Sequence, residues 1–371
     1  MTTVAERKDA AAVPASVVIA TFNRRDAAAR LLQQLAMQTL DPTRFEVVIV
    51  DDGSAEPVGS WLPGLDLPFR VTAVRQANSG PAAARHRGIV EARGELTVIT
   101  DDDMQLLPGF LEAHLAAHPA GSRRAVIGRI RASARLPQMP VFERFHARLL
   151  DRWANRPLHG DLLYTGNMSV RRADYLAVGG FDTSLERAED ADLGIRLELS
   201  GVEVAFSDEA ATIHESDHTD FAAWRRAARS YGRCGLRIAR KYPRVVRADP
   251  WATFFRNSLA KRPFVTATLV SPRSGRVLAR LAEAAVRAAD RVGRERLALA
   301  LTSLLFDLEF FRGVREEAGG LGGMLSSLAE FTQKAEAGRH AATGVGPAVL
   351  WLGRRVGTLA RSRRSDAGAP R

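Results

Sequence analysis

The segment 95–103 reads ELTVITDDD, a short apolar run that ends in three consecutive aspartates. Three similar runs precede it, SVVIATF at 16–22, FEVVIVDD at 45–52 and RVTAVRQ at 70–76. Longer stretches with helical spacing separate these runs. Apolar runs without polar alternation are typical of strands that are buried on both faces. The rhythm therefore predicts an α/β fold, with a mostly parallel sheet flanked by helices.

Polar side chains follow each of these runs. In open α/β sheets, ligands bind beyond the carboxyl ends of the strands, so these side chains are expected to meet at one edge. The sequence therefore predicts a polar and acidic site at that edge. Its candidate residues are Thr21 and Asn23 after the first run, Asp51 and Asp52 after the second, Gly80 after the third, and Asp101, Asp102 and Asp103 after the fourth.

The aspartate triplet is the first candidate for a metal site. Three adjacent carboxylates repel one another unless they share a cation. Strand alternation places Asp101 and Asp103 on the same side, and this spacing suits Mg²⁺ or Mn²⁺. The alternative is an acidic strand end, or a turn that caps the helical pattern after Pro108.

A second acidic cluster begins the helical pattern ERAEDADLGIRLELSG at 186–201. Favourable interaction with the helix dipole explains some of its acids. A carboxylate beside a substrate hydroxyl is also a suitable general base. Farther along, His214 is either a structural histidine or a metal ligand together with Asp103. A zinc site formed by His214 and His218 is disfavoured, because the HExxH pattern is absent.

The segment NSGPAAARHRGI at 78–89 places Gly80 before a helix that carries Arg85. A helix N-terminus with a nearby arginine is a candidate anion site. The segment matches neither GxGxxG nor a P-loop, so it supports neither a dinucleotide-binding protein nor a P-loop nucleotidase.

Seven segments, taken in order, resemble the family 2 glycosyltransferases of GT-A (Rossmann-like) fold. The resemblance covers roughly residues 15–235. It implies metal-dependent, inverting transfer of a sugar from a nucleotide-diphosphate donor to a hydroxyl acceptor. The segments are VVIATFNR at 17–24, VVIVDDGS at 47–54, NSGPAAARHRGI at 78–89, TDDDM at 100–104, TGN at 165–167, GGFD at 179–182 and EDADLGIRL at 189–197.

The same resemblance implies roles for individual residues. Asp190 is expected to be the catalytic base with Glu189 beside it, and Asp101, Asp103 and His214 are expected to bind Mn²⁺ or Mg²⁺. One departure is His86, where the family often has Asn. The expected nucleotide-binding residues are Thr21, Asn23, Asp51, Asp52, Gly80, Arg85, Asp101 and Asp102, and the expected acceptor- or sugar-binding residues are Gly166, Asn167, Gly180 and Asp182.

The functional prediction is a transferase acting in the synthesis of cell-surface polysaccharide, glycolipid or glycoconjugate. The acceptor is expected to be a saccharide or a lipid-linked molecule. The alternative is a non-catalytic module that binds sugar nucleotides or polysaccharide. Such a module would bind the donor without transferring it, and the retention of both metal-binding and base carboxylates argues against it.

Charge is distributed unevenly along the 371 residues. The formal net charge is +11, with 24 basic and 31 acidic residues in 1–220 against 29 and 11 in 221–371. The second part therefore carries +18, which suits an anionic partner such as a membrane surface or a nucleic acid. Residues 273–301 have the pattern of an amphipathic helix, with Val277 and Leu281 on the apolar side. This helix either packs on its own domain or attaches peripherally to anionic lipid, and no nucleic acid is expected.

The predicted organisation is a disordered N-terminus at 1–14, a GT-A catalytic domain at 15–235, a basic helical region at 236–360 and a disordered tail at 361–371. The apolar stretch Leu297–Phe306 falls short of the roughly 20 residues of a spanning helix. Cys234 is the only cysteine, and the N-terminus lacks the apolar core of a signal peptide. We therefore predict a cytoplasmic protein, in which the C-terminal region contacts the inner face of the membrane if it binds lipid.

Overall fold

The computed structural model describes residues 13–154 and 158–337, which divide into two compact units. The sheet unit comprises the residues up to Pro137 together with Ala147–Ser184 and Glu189–Asp217. The helical unit comprises Gln138–His146, Leu185–Ala188 and the residues from His218 onward. The predicted disordered tail, and all but the last two residues of the predicted disordered N-terminus, lie outside the described residues.

The sheet unit contains an eight-stranded sheet with the order β3-β2-β1-β4-β7-β6-β8-β5. Strands β1 to β4 are parallel to one another, and β6 is parallel to β8. Strand β7 is antiparallel to both β4 and β6, and β5 is antiparallel to β8. The predicted fold class is confirmed. The strands are β1 (Ala15–Thr21), β2 (Phe45–Asp51), β3 (Arg70–Arg75), β4 (Leu96–Asp101), β5 (Met104–Leu106), β6 (Arg124–Ala132), β7 (Asn167–Arg171) and β8 (Glu203–His214).

Helices cover both faces of this sheet. Alternate residues of β1 enter different cores: Val17 and Ile19 pack in one, and Val18 packs in the other. This double burial is why the strands read as unbroken apolar runs. The helices of the described residues are α1 (Arg25–Ala36), α2 (Val58–Trp61), α3 (Pro81–Glu91), α4 (Phe110–Ala116), α5 (Val141–Ala154), α6 (Arg172–Ala177), α7 (Glu189–Leu199), α8 (Phe221–Lys241), α9 (Pro250–Arg256), α10 (Arg262–Val270), α11 (Pro272–Arg291), α12 (Glu295–Glu317) and α13 (Leu321–Ala337).

Two strands differ from the sequence pattern. The three-residue β5 was not predicted, because so short a run has no measurable periodicity. Strand β8 continues to His214, well beyond its apolar segment at 204–206. Its second half pairs with both β6 and β5, so tertiary pairing extends the strand through the polar residues 207–209.

The helical unit has its own apolar core, which includes Leu305, Phe311 and Phe331. Pro250 and Pro272 occupy the first positions of α9 and α11, where a proline removes no hydrogen bond of the helix. The predicted single helix at 273–301 is wrong, because the chain breaks at Gly293 with φ of +68°. The predicted boundary at residue 235 lies inside α8, and the division into functional domains stays a prediction.

Among the described residues, none of the helices combines the length and the apolar character that crossing a bilayer requires.

Candidate active site

The ends of the central parallel strands bring the predicted acidic residues to one edge of the sheet. Thr21 of β1 lies opposite Asp51 of β2, and Ala20 lies opposite Asp101 of β4. The segment after β4 turns back into β5, where Met104 pairs with His214 of β8. This return places His214 near an aspartate triplet that is more than one hundred residues earlier in the chain.

Asp51 and Asp52 are almost completely buried and bind the backbone of neighbouring loops. Asp51 accepts hydrogen bonds from the amides of Ser54 and Val58. Asp52 accepts from the amides of Ser79 and Gly80, both at 2.9 Å. These carboxylates therefore shape the loops at the strand ends, and Asp52 in particular holds the turn that begins α3.

Thr21 and Asn23 also order the same edge. The Thr21 hydroxyl donates to Asp102 Oδ2 at 2.8 Å. Asn23 adopts φ of +55°, a left-handed conformation that asparagine tolerates better than most residues, and its side-chain oxygen accepts from the Ala55 amide. Gly80 also has a positive φ, of +87°, and an added Cβ there would meet no atom within 4 Å, so the N-terminus of α3 is open on that side.

Arg24 pairs with two aspartates of the triplet, a contact that the sequence alone did not reveal. One guanidinium nitrogen lies 3.3 Å from carboxylate oxygens of both Asp102 and Asp103, and the other lies 3.0 Å from Asp217. Burial would lower the pKa of Arg24, but the three aspartates raise it, so the group stays cationic. Burial raises the pKa of Asp102 to about 7, against the opposing effects of Arg24 and the Thr21 hydroxyl.

Asp103 and His214 form a donor pair that fits a divalent cation. His214 Nε2 lies 3.7 Å from Asp103 Oδ2, and both side chains are largely buried. Glu215 donates its amide to the Asp103 carbonyl at 2.9 Å, which fixes the two segments against each other. A carboxylate oxygen and an imidazole nitrogen suit Mn²⁺, and the carboxylate also suits Mg²⁺. Asp103 Oδ2 faces both His214 and Arg24, so a bound metal would have to share it with a guanidinium.

Arg85 of α3 connects this edge to the second acidic cluster. One of its nitrogens donates to Asp101 Oδ1 at 2.5 Å, and the other donates to Glu189 Oε1 at 3.1 Å. Burial would lower the pKa of Arg85, but Asp101 and Glu189 raise it strongly. The guanidinium therefore remains charged and holds the first turn of α7 against the end of β4.

Asp190 lies beside this bridge in the first turn of α7. Its Oδ1 accepts from the Ala191 amide at 2.8 Å. Burial and, second, the charge of Glu189 raise the pKa of Asp190 to about 7, close to the value that general base catalysis at neutral pH requires. Ala188, just before the helix, has φ of +61°, an unusual conformation for alanine. Backbone strain of this kind is often found at functional sites.

Of the predicted sugar-binding residues, Gly166 lies beside the aspartate triplet, whereas Asn167 and Asp182 make structural hydrogen bonds. Gly166 lies next to Asp101, and an added Cβ would be 3.1 Å from Asp101 Oδ2. Asn167 is fully buried, where it accepts from His114 Nε2 and donates to the Ala210 carbonyl. Asn167 thus braces neighbouring strands. Asp182 binds the Ser184 amide in a local turn.

His86, the departure from the family pattern, holds the GGFD turn. The Tyr175 hydroxyl accepts from the Phe181 amide at 3.0 Å and lies 2.8 Å from His86 Nδ1. Burial lowers the pKa of His86, which favours the neutral ring as acceptor of the tyrosine proton. An added Cβ at Gly180 would lie 2.5 Å from His86 Nδ1, so this glycine permits the close contact.

Comparison with known families agrees with this arrangement. Residues 16–157 match the model of the family described as glycosyl transferase family 2. This segment, which is less than half of the chain, is therefore similar to glycosyl transferase family 2. The match includes the first four strands and the aspartate triplet, and it ends before α7.

Curated relatives extend the similarity beyond that segment. Validoxylamine A glucosyltransferase of Streptomyces hygroscopicus subsp. limoneus is 30% identical over 238 residues, which cover 55% of this chain and 52% of that protein. The pre-mycofactocin glycosyltransferase of Mycobacterium tuberculosis (strain ATCC 25618 / H37Rv) is 28% identical over 236 residues, which cover 62% of this chain and 48% of that protein. The chain thus spans about half the length of these relatives.

Among solved structures, the mannosyltransferase PcManGT from Pyrobaculum calidifontis, in complex with GDP-Man and Mn²⁺, has a similar fold. The TM-score is 0.55 at 18% sequence identity, and the alignment covers 82% of this chain and 89% of that one. The GT-A fold predicted from the sequence is therefore confirmed.

Proposed function

We propose that the chain is a metal-dependent, inverting glycosyltransferase that moves a sugar from a nucleotide-diphosphate donor to a hydroxyl acceptor. The observation that carries the proposal is the Arg85 bridge, which joins the acidic end of β4 to the acidic first turn of α7. One side of the bridge offers ligands for a cation, and the other offers a carboxylate with a raised pKa. The family match over residues 16–157 and the similarity to glycosyltransferase relatives support the same activity.

The donor is proposed to bind over the ends of β1, β2 and β4. Thr21, Asp51 and Asp52 form the base of this region and hold its loops, and Gly80 gives the diphosphate access to the N-terminus of α3. Asp103 and His214, together with Asp101, would hold Mn²⁺ or Mg²⁺. When bound, the metal supplies positive charge against the charge that develops on the departing diphosphate.

Asp190 is proposed to accept the proton of the acceptor hydroxyl as that oxygen attacks the anomeric carbon. Glu189 is fixed by Arg85, so it is assigned as a positioning residue for the first turn of α7. Attack and departure occur on opposite faces of the sugar in a single displacement, which inverts the anomeric centre. This mechanism needs no second carboxylate as a nucleophile, unlike retaining hydrolysis.

A donor screen with a transfer assay tests the proposal. Nucleotide sugars are added with and without Mn²⁺, and the thermal stability of the protein is measured; a donor at 100 times its Kd adds about 2.7 kcal/mol. We expect one class of donor to stabilise the protein. Asp103→Asn and His214→Ala should each remove the part of this thermal stabilisation that requires Mn²⁺. His159→Ala, at a half-exposed histidine paired with Glu198, is the matched control.

The outcomes separate the proposal from its alternative. Donor binding without transfer to saccharide or lipid-linked acceptors would favour the non-catalytic binding module. No stabilisation by any donor would contradict both. We also propose that the protein acts in the cytoplasm, in the synthesis of cell-surface polysaccharide, glycolipid or glycoconjugate. The proposed acceptor is a saccharide or a lipid-linked molecule. Contact of the basic C-terminal region with anionic membrane is a separate proposal, because it depends on the helical unit.

A further inference from the structure

Helix α11 of the helical unit packs through small residues. Its buried positions are Gly275, Ala279, Ala282, Val286 and Ala289. An added Cβ at Gly275 would lie 3.0 Å from the Thr268 methyl group, so α11 approaches α10 closely. The sequence pattern predicts Val277 and Leu281 on the apolar side of this helix, and the structure places both on its exposed side.

The outer side of α11 exposes three aliphatic side chains. Val277 is 53% exposed, Leu281 is 62% exposed and Val292, just after the helix, is 69% exposed. At 100° per residue, their separations of four and eleven residues place them on one stripe. Single exposed aliphatic residues are common, but an aligned set is characteristic of an interaction surface.

Four arginines lie beside this stripe. Arg273, Arg276, Arg280 and Arg291 are exposed, and none of the four makes a hydrogen bond or an ion pair with another described residue. The acidic residues of the same helix are already neutralised. Glu283 pairs with Arg225 and Arg287, and Asp290 pairs with Arg144. The outer side is therefore both cationic and aliphatic.

We propose that this outer face of α11, formed by the four arginines and the three aliphatic residues, docks on a membrane rich in anionic phospholipid. The arginines complement the phosphate charge, and the valines and the leucine enter the boundary between headgroups and acyl chains. The aliphatic stripe favours a bilayer over a nucleic acid, because phosphodiester backbones offer no apolar layer for it. The surface lies in the helical unit and does not depend on glycosyl transfer.

Vesicle sedimentation tests the proposal with the full chain. Sucrose-loaded vesicles of phosphatidylcholine alone are compared with vesicles containing about 30% phosphatidylglycerol, whose headgroups carry negative charge. We expect binding to the anionic vesicles and little binding to the neutral ones. Each membrane-facing arginine contributes about fivefold to the partition coefficient, so replacing all four by Gln should weaken binding by about 600-fold.

Two matched controls make the result specific. Replacing Arg30, Arg44, Arg70 and Arg93 by Gln removes the same charge from exposed positions of the sheet unit. Replacing Met37, Val90 and Leu199 by Ser removes exposed apolar side chains there and is compared with Val277, Leu281 and Val292→Ser. We expect only the α11 variants to lose binding, with unchanged circular dichroism.

Three results would overturn the proposal. Equal partitioning to neutral and anionic vesicles would remove the electrostatic contribution. Equal loss in the charge-matched control would show that net charge, and not this face, controls binding. In the third result, duplex DNA competes with the vesicles at physiological salt, and this competition requires the four arginines but not the aliphatic residues. The ligand of this face would then be a nucleic acid and not a membrane.

Discussion

Replacement of Asp190 by Asn should abolish sugar transfer and, at the same time, stabilise the protein. The two effects have a common origin. The carboxylate is kept in surroundings that disfavour its charge, through burial and through the adjacent Glu189. A base with this raised pKa is well suited to deprotonate a hydroxyl at neutral pH, but its charged form costs folding free energy. The substitution keeps the shape of the side chain and removes the charge.

The magnitude follows from the shift. The pKa of Asp190 rises from its usual value of 3.8 to about 7, and a rise of about three units costs the folded state about 4 kcal/mol once the group is ionised. The Asn amide must also be desolvated, so we expect Asp190→Asn to increase the free energy of unfolding by only about half of that cost. This increase should raise Tm by about 4–8 °C at pH 8. Loss of a general base should lower kcat by about 10² to 10⁴-fold.

The sign of the pH dependence is specific. The folded state holds the Asp190 proton up to about pH 7, whereas the unfolded chain releases it near pH 4, so the wild-type protein loses this stability as pH rises between them. Thermal denaturation is measured from pH 4 to pH 8, alongside transfer and donor binding. The advantage of the variant should be near zero at pH 4 and largest at pH 8.

Asp192→Asn provides the control on the same helix. Asp192 is fully buried, but it pairs with Arg196 at 2.6 Å, so its replacement should lower stability at pH 8. A stability difference for Asp190→Asn that stays constant from pH 5 to pH 8 would refute the burial argument. Turnover close to the wild-type rate would refute Asp190 as the base.

Three further predictions concern other parts of the chain. Arg24→Met should tighten Mn²⁺ binding by about tenfold or more, because the guanidinium competes with the metal for the Asp103 carboxylate. Binding is measured at pH 8 without nucleotide, and electron paramagnetic resonance reports the concentration of free Mn²⁺. Glu309→Gln should destabilise the helical unit by about 3–5 kcal/mol in thermal denaturation, because three arginines surround this fully buried carboxylate. Gly88→Ala should lower the free energy of unfolding by about 1–3 kcal/mol, since the added Cβ would lie 2.4 Å from a valine of β1. An added Cβ at Gly59 would meet no atom within 4 Å, so Gly59→Ala should leave the stability nearly unchanged in the same assay.

The central part of the sheet was predictable because its strands carry a local signal. Each of β1, β2 and β4 is an apolar run that ends in polar residues, and double burial explains the lack of alternation. The parallel arrangement then places those polar ends at one edge without any knowledge of contacts. Strand β5 and the second half of β8 carry no such signal, because pairing with distant residues stabilises them.

The roles of individual acids were less predictable, because the sequence does not distinguish a carboxylate that faces a ligand from one that binds its own backbone. Asp51 and Asp52 resemble Asp101 and Asp103 in sequence context, yet their oxygens accept from loop amides. Helix α11 shows the same difficulty for apolar residues. Its packing face consists of one glycine, three alanines and Val286, so the large aliphatic residues Val277 and Leu281 do not mark the buried side.

The Arg85 bridge explains why the two acids of the pair at 189–190 have different environments. Glu189 touches the guanidinium directly, whereas Asp190 gains only a weaker favourable effect from it and is also repelled by Glu189. Arg85 therefore fixes the helix through Glu189, while burial and the charge of Glu189 leave Asp190 with a raised pKa that suits a general base. Arg85 and Glu189 are 104 residues apart in the sequence. The different environments of Glu189 and Asp190 therefore arise only when α3 and α7 meet at the end of β4.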